Sequence, residues 1–217
     1  MKAWTLNPPT QSPGDLQHSW AQTKERNHNT MHDINNQVRY SVRPIQTVDP
    51  VHRLPKPLLS DAEETPARLA AYGLLNKLLN DSKIGSIDEL KKDTLGRLLV
   101  SNRSDLWVSV AHSNEVVAAA FSKAGPIGID VEQISCWNRG MEDIAFVAGE
   151  KFLLEKSPHR SSDATKLWVR KEALGKAIGV GVEDFVLANS IIKSPVAVQN
   201  KLYYIENLEA PAGYCAA

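Results

Sequence analysis

Cysteine is scarce in this chain, with two residues, Cys136 and Cys215, among 217. Two thiols so far apart have no metal-ligand spacing, which excludes a cysteine-rich zinc module. They could form one disulfide, but free thiols in a reducing compartment are the expectation. Long apolar runs are missing too: none approaches the ~20 residues that span a bilayer. The N-terminal stretch with Asn7-Pro8-Pro9 lacks the apolar core of a secretory signal. A cytoplasmic protein without membrane association is therefore expected. Excess charge is also absent, with 25 basic against 25 acidic residues. A balanced chain offers no global field for nucleic acid or anionic lipid, so any anion binding must come from a local cluster. No P-loop or His-rich metal motif appears.

What is present is the ordinary apolar content of one compact domain or two small halves sharing a core. Residues 7–37 are polar and read as an irregular arm or extended surface loop. Met1–Leu6 carries a weak strand signal, and Gln37–Ile45 a better one through Val38, Tyr40 and Val42. Two helix starts are offered. Ser60-Asp61-Ala62-Glu63 has the form of a capping box, and Thr65-Pro66 places proline in a first turn. Either leads to a helix reaching Leu79, with Leu69, Tyr72, Leu75 and Leu79 as its buried stripe. A short helix over Ser86–Lys91 follows.

Strands are then expected over Trp107–Ala111, Val116–Ser122 and Pro126–Ile134, spaced as an antiparallel meander. Helices over Met141–Lys156 and Asp163–Ile178 come next, the second capped by Gly179. The tail alternates strand-like segments at Phe185–Ala188, Ser190–Lys193, Leu202–Ile205 and Tyr214–Ala217. The class is α+β with antiparallel sheets. Helix-then-strands occurs twice, so two similar halves are conceivable, though no repeat in the sequence demonstrates them.

Two segments carry chemistry. In Gly128-Ile129-Asp130-Val131-Glu132, strand alternation puts Asp130 and Glu132 on one side and the aliphatics on the other. Adjacent carboxylates repel unless a cation lies between them, and oxygen-only donors favour magnesium, manganese or calcium over zinc. The plain alternative is the polar outer face of an edge strand. In Trp168-Val169-Arg170-Lys171-Glu172-Ala173-Leu174-Gly175-Lys176, residues 168, 172 and 176 share one helix face, with Lys171 at its edge. Alone, this would be an ordinary Glu–Lys surface pair. Together, three carboxylates and nearby lysines suit a phosphate ester.

The two segments, taken with their order and spacing, resemble the phosphopantetheinyl transferases, in particular the surfactin-synthetase-activating type. Gly179-Val180-Gly181 falls at that family's glycine-rich turn. Val110-Ala111-His112-Ser113 is similar to its Ser-His-Ser motif and Leu95-Gly96-Arg97 to its Gly-Lys-Pro motif, while Arg68 falls near a family arginine. The resemblance spans residues 59–187. It implies a pseudo-twofold α+β fold, each half with a small antiparallel sheet and packed helices: an N-terminal half over 1–125 and a C-terminal half over 126–217. It implies transfer of the 4′-phosphopantetheine arm of coenzyme A to a serine of an apo acyl, aryl or peptidyl carrier protein, releasing adenosine 3′,5′-bisphosphate. Fatty-acid, polyketide and nonribosomal-peptide carriers all remain open. A monomer is expected.

By motif position, Asp130, Glu132 and Glu172 would hold Mg2+, with Mn2+ as a substitute. Glu172, or a water it orients, would take the serine proton, and Lys176 and Lys171 would stabilise the leaving group. His112, Arg97, Gly96 and Arg68, with the two lysines, would bind coenzyme A. The family also implies an apolar and basic docking patch, sought near Lys123 or within 138–165. This chain departs from the pattern at Ala111, where a serine hydroxyl is missing, and at Leu98, where proline is missing; Arg97 replaces lysine. The alternatives are a noncatalytic relative that binds coenzyme A or a carrier protein, and an unrelated metal-dependent phosphohydrolase.

Overall fold

The computed structural model describes residues 32–34, 37–48 and 65–217, except 86, 88, 95, 102, 183 and 199. The Met1–Leu6 strand, most of the expected arm and the Ser60–Glu63 capping box lie outside the described residues.

A six-stranded antiparallel sheet forms the wall on which everything else is hung. Its strands are β1 (His32–Ile34), β2 (Val38–Pro44), β3 (Leu90–Lys92), β4 (Leu98–Val100), β5 (Trp107–Ser113) and β6 (Val116–Ser122), in the order β1-β2-β6-β5-β4-β3. The central strand β6, Val-Val-Ala-Ala-Ala-Phe-Ser, has all seven residues buried. An unbroken apolar run of this kind marks a strand covered on both faces. Helix α1 (Pro66–Asp81) covers one face, where Leu75 and Leu79 meet Val108, Val117, Ala119 and Phe121. On the other face Ala111, Val116, Ala118 and Ala120 meet Ile129, Val131 and Ala216 from the C-terminal half. Thr65 caps α1 by accepting from the Arg68 amide, so the Thr65-Pro66 start is the one used.

All six strands precede residue 125, and the remaining strands follow it in two small sheets. In one, β7 (Val131–Gln133) pairs with β10 (Tyr214–Ala216). In the other, β8 (Val196–Val198) pairs with β9 (Lys201–Tyr203). Between them come α2 (Arg139–Ala145), α3 (Ala148–Lys156), α4 (Arg160–Ile178) and α5 (Asp184–Ala188). The architecture is α+β with antiparallel sheets, as the sequence implied.

The differences in detail have physical causes. Residues 90–92 form a strand where a helix over Ser86–Lys91 was expected, because Leu90 is buried in register with Val100 at the sheet edge. Strand β1 falls inside the expected arm. The third strand of the expected meander leaves its neighbours and pairs with the chain terminus instead. The single helix expected over Met141–Lys156 is broken at Phe146. That residue turns extended so that its ring packs on Trp137, centroids 5.1 Å apart, within a buried cluster. The segment 185–188 is helical. Ser190–Lys193 is not a strand because its backbone bonds side chains: the Ile191 amide donates to Glu150 and its carbonyl accepts from Arg170.

Candidate active site

The site is built where the 127–133 segment crosses α4. Three contacts fix that segment. The Ile129 amide donates to Ser109 Oγ at 3.1 Å, and Asp130 exchanges two backbone hydrogen bonds with Ala217, at 2.8 and 3.1 Å. Gly128 lies directly on α4, where a Cβ would sit 1.9 Å from the Ala173 carbonyl oxygen. A second close approach, Gly175 against the Gly181 backbone, folds the turn after Gly179 onto the helix. Gly179 ends α4 in the left-handed region at φ 90°, as its position required.

Alternation along this extended segment and the α4 periodicity then meet. Lys176 Nζ donates to Asp130 Oδ1 at 2.7 Å and to the Ile129 carbonyl at 3.1 Å. Glu132 Oε2 accepts from Ser113 Oγ at 2.7 Å, and the same hydroxyl accepts from the Gln133 amide. Glu172 completes the group: Asp130 and Glu132 raise its pKa electrostatically and Lys176 lowers it. Burial is the larger cause, and the Glu172 carboxyl is pushed up to about 7. Burial also raises Asp130, with Lys176 opposing.

In the metal-free chain these shifts have a definite sign. A raised carboxyl keeps its proton in the folded state after the unfolded chain has released it. Stability therefore declines as pH rises through the window from 4.5 to about 7. Partial exposure of Glu172 screens the effect, leaving about 1–2 kcal/mol. Thermal melts without divalent cations should show Tm falling by about 2–8 °C between pH 5 and pH 8, with Glu172→Gln flattening the trend.

The cations arrange themselves unevenly. His112, at the exposed end of β5, lies within electrostatic reach of Arg68, Lys176 and Glu132, and burial with the two cations lowers its pKa. The Arg97 guanidinium is 5.2 Å over the Trp107 ring, pairs with Asp93 at 3.1 Å and abuts Gly179. Gly96 holds the tight turn before it at φ 85°.

Lys171 is not brought to this cluster, which corrects the expectation for it. Its side chain is 0% exposed and paired with Glu150 at 3.1 Å. One step along the helix from Glu172 carries it about 100° around the axis, into the core. Sequence reasoning also missed Ser109, Glu150 and Arg170. The first two are ordinary polar residues whose role appears only through partners 20 and 41 positions away.

Ala111 is buried at 5% exposure among Val116, Ala118 and Ile129, on the strand face opposite His112. A serine here would point its hydroxyl into apolar packing. Ala111→Ser should therefore leave the charged cluster undisturbed and cost about 1–3 kcal/mol of stability, read by thermal melts.

A cavity of about 630 Å3 lies between β2, β6, α4 and the β9 segment, but Asp130, Glu132, Glu172 and Lys176 do not line it. Its lining is largely apolar, with Tyr40, Ala120, Ile129, Ala173, Ala177 and Tyr203, so the charged cluster and this void are separate features.

Residues 126–212, which contain both acidic segments, match the family model of the 4′-phosphopantetheinyl transferase superfamily. The match lies on this segment, which carries both acidic motifs. The chain is similar to proteins named 4′-phosphopantetheinyl transferase AcpT. With the one from Salmonella typhi it shares 28% identity over 151 residues, 67% of this chain and 77% of that protein. With the one from Escherichia coli strain K12 it shares 27% over 163 residues, 71% and 80% respectively. The resemblance read from the acidic motifs thus holds for the phosphopantetheinyl transferase superfamily.

Among the described residues, no group of three or more His, Cys, Asp or Glu is arranged to hold a metal as the structure stands. The Lys176 ammonium is bound at Asp130 Oδ1. The chemistry of the set nonetheless fits a hard cation. All three candidate donors are carboxylates, and Asp130 Oδ2 is buried with no hydrogen-bond partner.

Proposed function

We propose that the chain is a 4′-phosphopantetheinyl transferase that moves the phosphopantetheine arm of coenzyme A onto a serine hydroxyl of an apo carrier protein. The observation that carries this reading is the cluster of Asp130, Glu132, Glu172 and Lys176 on the superfamily segment, with His112 and Arg68 beside it.

Asp130, Glu132 and Glu172 would hold Mg2+ or Mn2+, which supplies charge neutralisation of the diphosphate when bound. Arg68 and Lys176 supply local positive charge in a chain of zero net charge, and His112 adds an imidazole kept neutral beside them, a set suited to the phosphates of coenzyme A. Arg97, which follows the turn at Gly96 and abuts Gly179, would join them by exchanging its Asp93 partner for a phosphate. Glu172, or a water it orients, would accept the serine proton. The serine Oγ–phosphorus bond forms, the diphosphate P–O bond breaks, and adenosine 3′,5′-bisphosphate leaves. Lys176 stabilises the charge on that leaving oxygen. Exposed Met141, Ile144, Phe152 and Leu153 on α2 and α3, with Lys156 over the Phe152 ring, support carrier docking within 138–165.

Chromatographic detection of adenosine 3′,5′-bisphosphate tests the reaction. It should appear only when coenzyme A, Mg2+ and an apo carrier are all present, and chelation with EDTA should abolish it. Bisphosphate release without carrier would favour a phosphohydrolase. Tight coenzyme A binding with no release would favour the noncatalytic relative.

A further inference from the structure

We propose that Lys171 is a positioning residue, whose ion pair with Glu150 sets the rotation of α4 about its axis and so aims Glu172 at Asp130, without touching substrate. This rests on the transferase reading above.

Every donor of the Lys171 ammonium is occupied. It lies 3.1 Å from Glu150 Oε2 and donates to the Leu187 carbonyl at 2.9 Å and the Asn189 carbonyl at 3.0 Å. An ammonium has three protons, and here each has an acceptor. Glu150 is equally committed: Oε1 accepts from the Ile191 amide at 2.9 Å and Oε2 from the Val147 amide at 3.1 Å. Both side chains are 0% exposed. No phosphate reaches Lys171 unless this cluster is dismantled.

The pair joins three pieces of chain at one point. They are the start of α3 at Val147, the middle of α4, and the segment running from α5 to Ile191. Arg170 adds a second anchor on the same buried side, donating twice to the Ile191 carbonyl at 3.1 and 2.9 Å and once to Ile205 at 3.4 Å. Gly128 and Gly181 also press directly on the α4 backbone, at Ala173, Ala177 and Gly175. Residues 171 and 172 project about 100° apart, so a roll that shifts one shifts the other. Apolar packing tolerates several rolls of a helix; an ammonium with three directional acceptors has one. The first motif lysine, Lys171, therefore acts through its neighbour, while Lys176 alone of the two meets the acidic cluster.

The test uses the full chain with coenzyme A, Mg2+ and an accepted apo carrier, well below Tm. Lys171→Met should lower both Tm and kcat, the latter about 10–100-fold, with KM for coenzyme A within about threefold. Adding Glu150→Gln removes the uncompensated buried charge. The double variant should regain at least about half of the lost Tm while kcat stays reduced about 10–100-fold. Recovery of kcat along with Tm would show a merely structural role and overturn the proposal. So would a KM rise of about tenfold with kcat intact, which would place the ammonium on a phosphate. Should Lys171→Met not fold, the charge-balanced double variant carries the same reading. Absence of transfer by the unsubstituted chain overturns the transferase reading and this proposal with it.

Discussion

Exchange of Glu172 for glutamine should lower phosphopantetheine transfer by about 10²–10⁴-fold while the fold survives. In the metal-free chain the carboxyl is held near 7 by burial and by Asp130 and Glu132. Such a group is half-ionised at neutral pH, where a base is most useful. Glutamine keeps the shape and can still offer one oxygen, but it accepts no proton. The variant also removes the repulsion that burial imposes on three neighbouring carboxylates, so its Tm at pH 8 should equal or exceed that of the unsubstituted chain. Reduced transfer with preserved stability separates a chemical role from a packing one. Steady-state kinetics and thermal melts on the same preparation decide between them, and transfer within about threefold of the unsubstituted rate would remove Glu172 from the mechanism.

The other large effect belongs to a residue with no side chain. Gly128→Ala places a Cβ 1.9 Å from the Ala173 carbonyl oxygen and 2.7 Å from the Ala177 amide nitrogen. Both obstacles are helix backbone, which no rotamer change relieves. Strand segment and helix must separate, and that pulls Asp130 from Lys176 and unseats Ile129 and Val131 from the wall of β6. The expected cost is about 3 kcal/mol or more, or about 6–12 °C in Tm. Transfer should fall about 10²-fold even in the fraction that folds, since a displacement near 1 Å suffices for that. Melts and kinetics on Gly128→Ala check both numbers; unchanged values would mean that the crossing is looser than described.

The geometry of the candidate site was legible in the sequence to the extent that it depends on period alone. Two-residue alternation put Asp130 and Glu132 together, and the helical repeat put Glu172 and Lys176 on one face. The start of α1 at Thr65, the strand β6 and the cap at Gly179 follow from equally local chemistry. Where a partner far along the chain decides, the sequence is silent. Leu90 becomes a strand residue because Val100 lies opposite. Phe146 breaks a helix because Trp137 offers a place for its ring. Ile191 leaves the strand pattern because Glu150 and Arg170 take its backbone groups. Lys171 was drawn to the site by adjacency to Glu172, and only the buried carboxylate of Glu150 shows that it belongs to the core. The same logic applies to Ala111, whose replacement of a serine looked consequential until its side chain proved to face away from His112.

The central claim is that this cluster passes a phosphopantetheine arm to a carrier protein, and intact-mass spectrometry tests it most directly. Apo acyl, aryl and peptidyl carriers should each be incubated with the purified chain, coenzyme A and Mg2+. At least one carrier should gain the mass of a single phosphopantetheine arm, at its serine, with no gain when Glu172→Gln replaces the unsubstituted chain over the same interval. A panel in which no carrier changes mass, while the folded chain still binds coenzyme A, would contradict the assignment of transfer to this site.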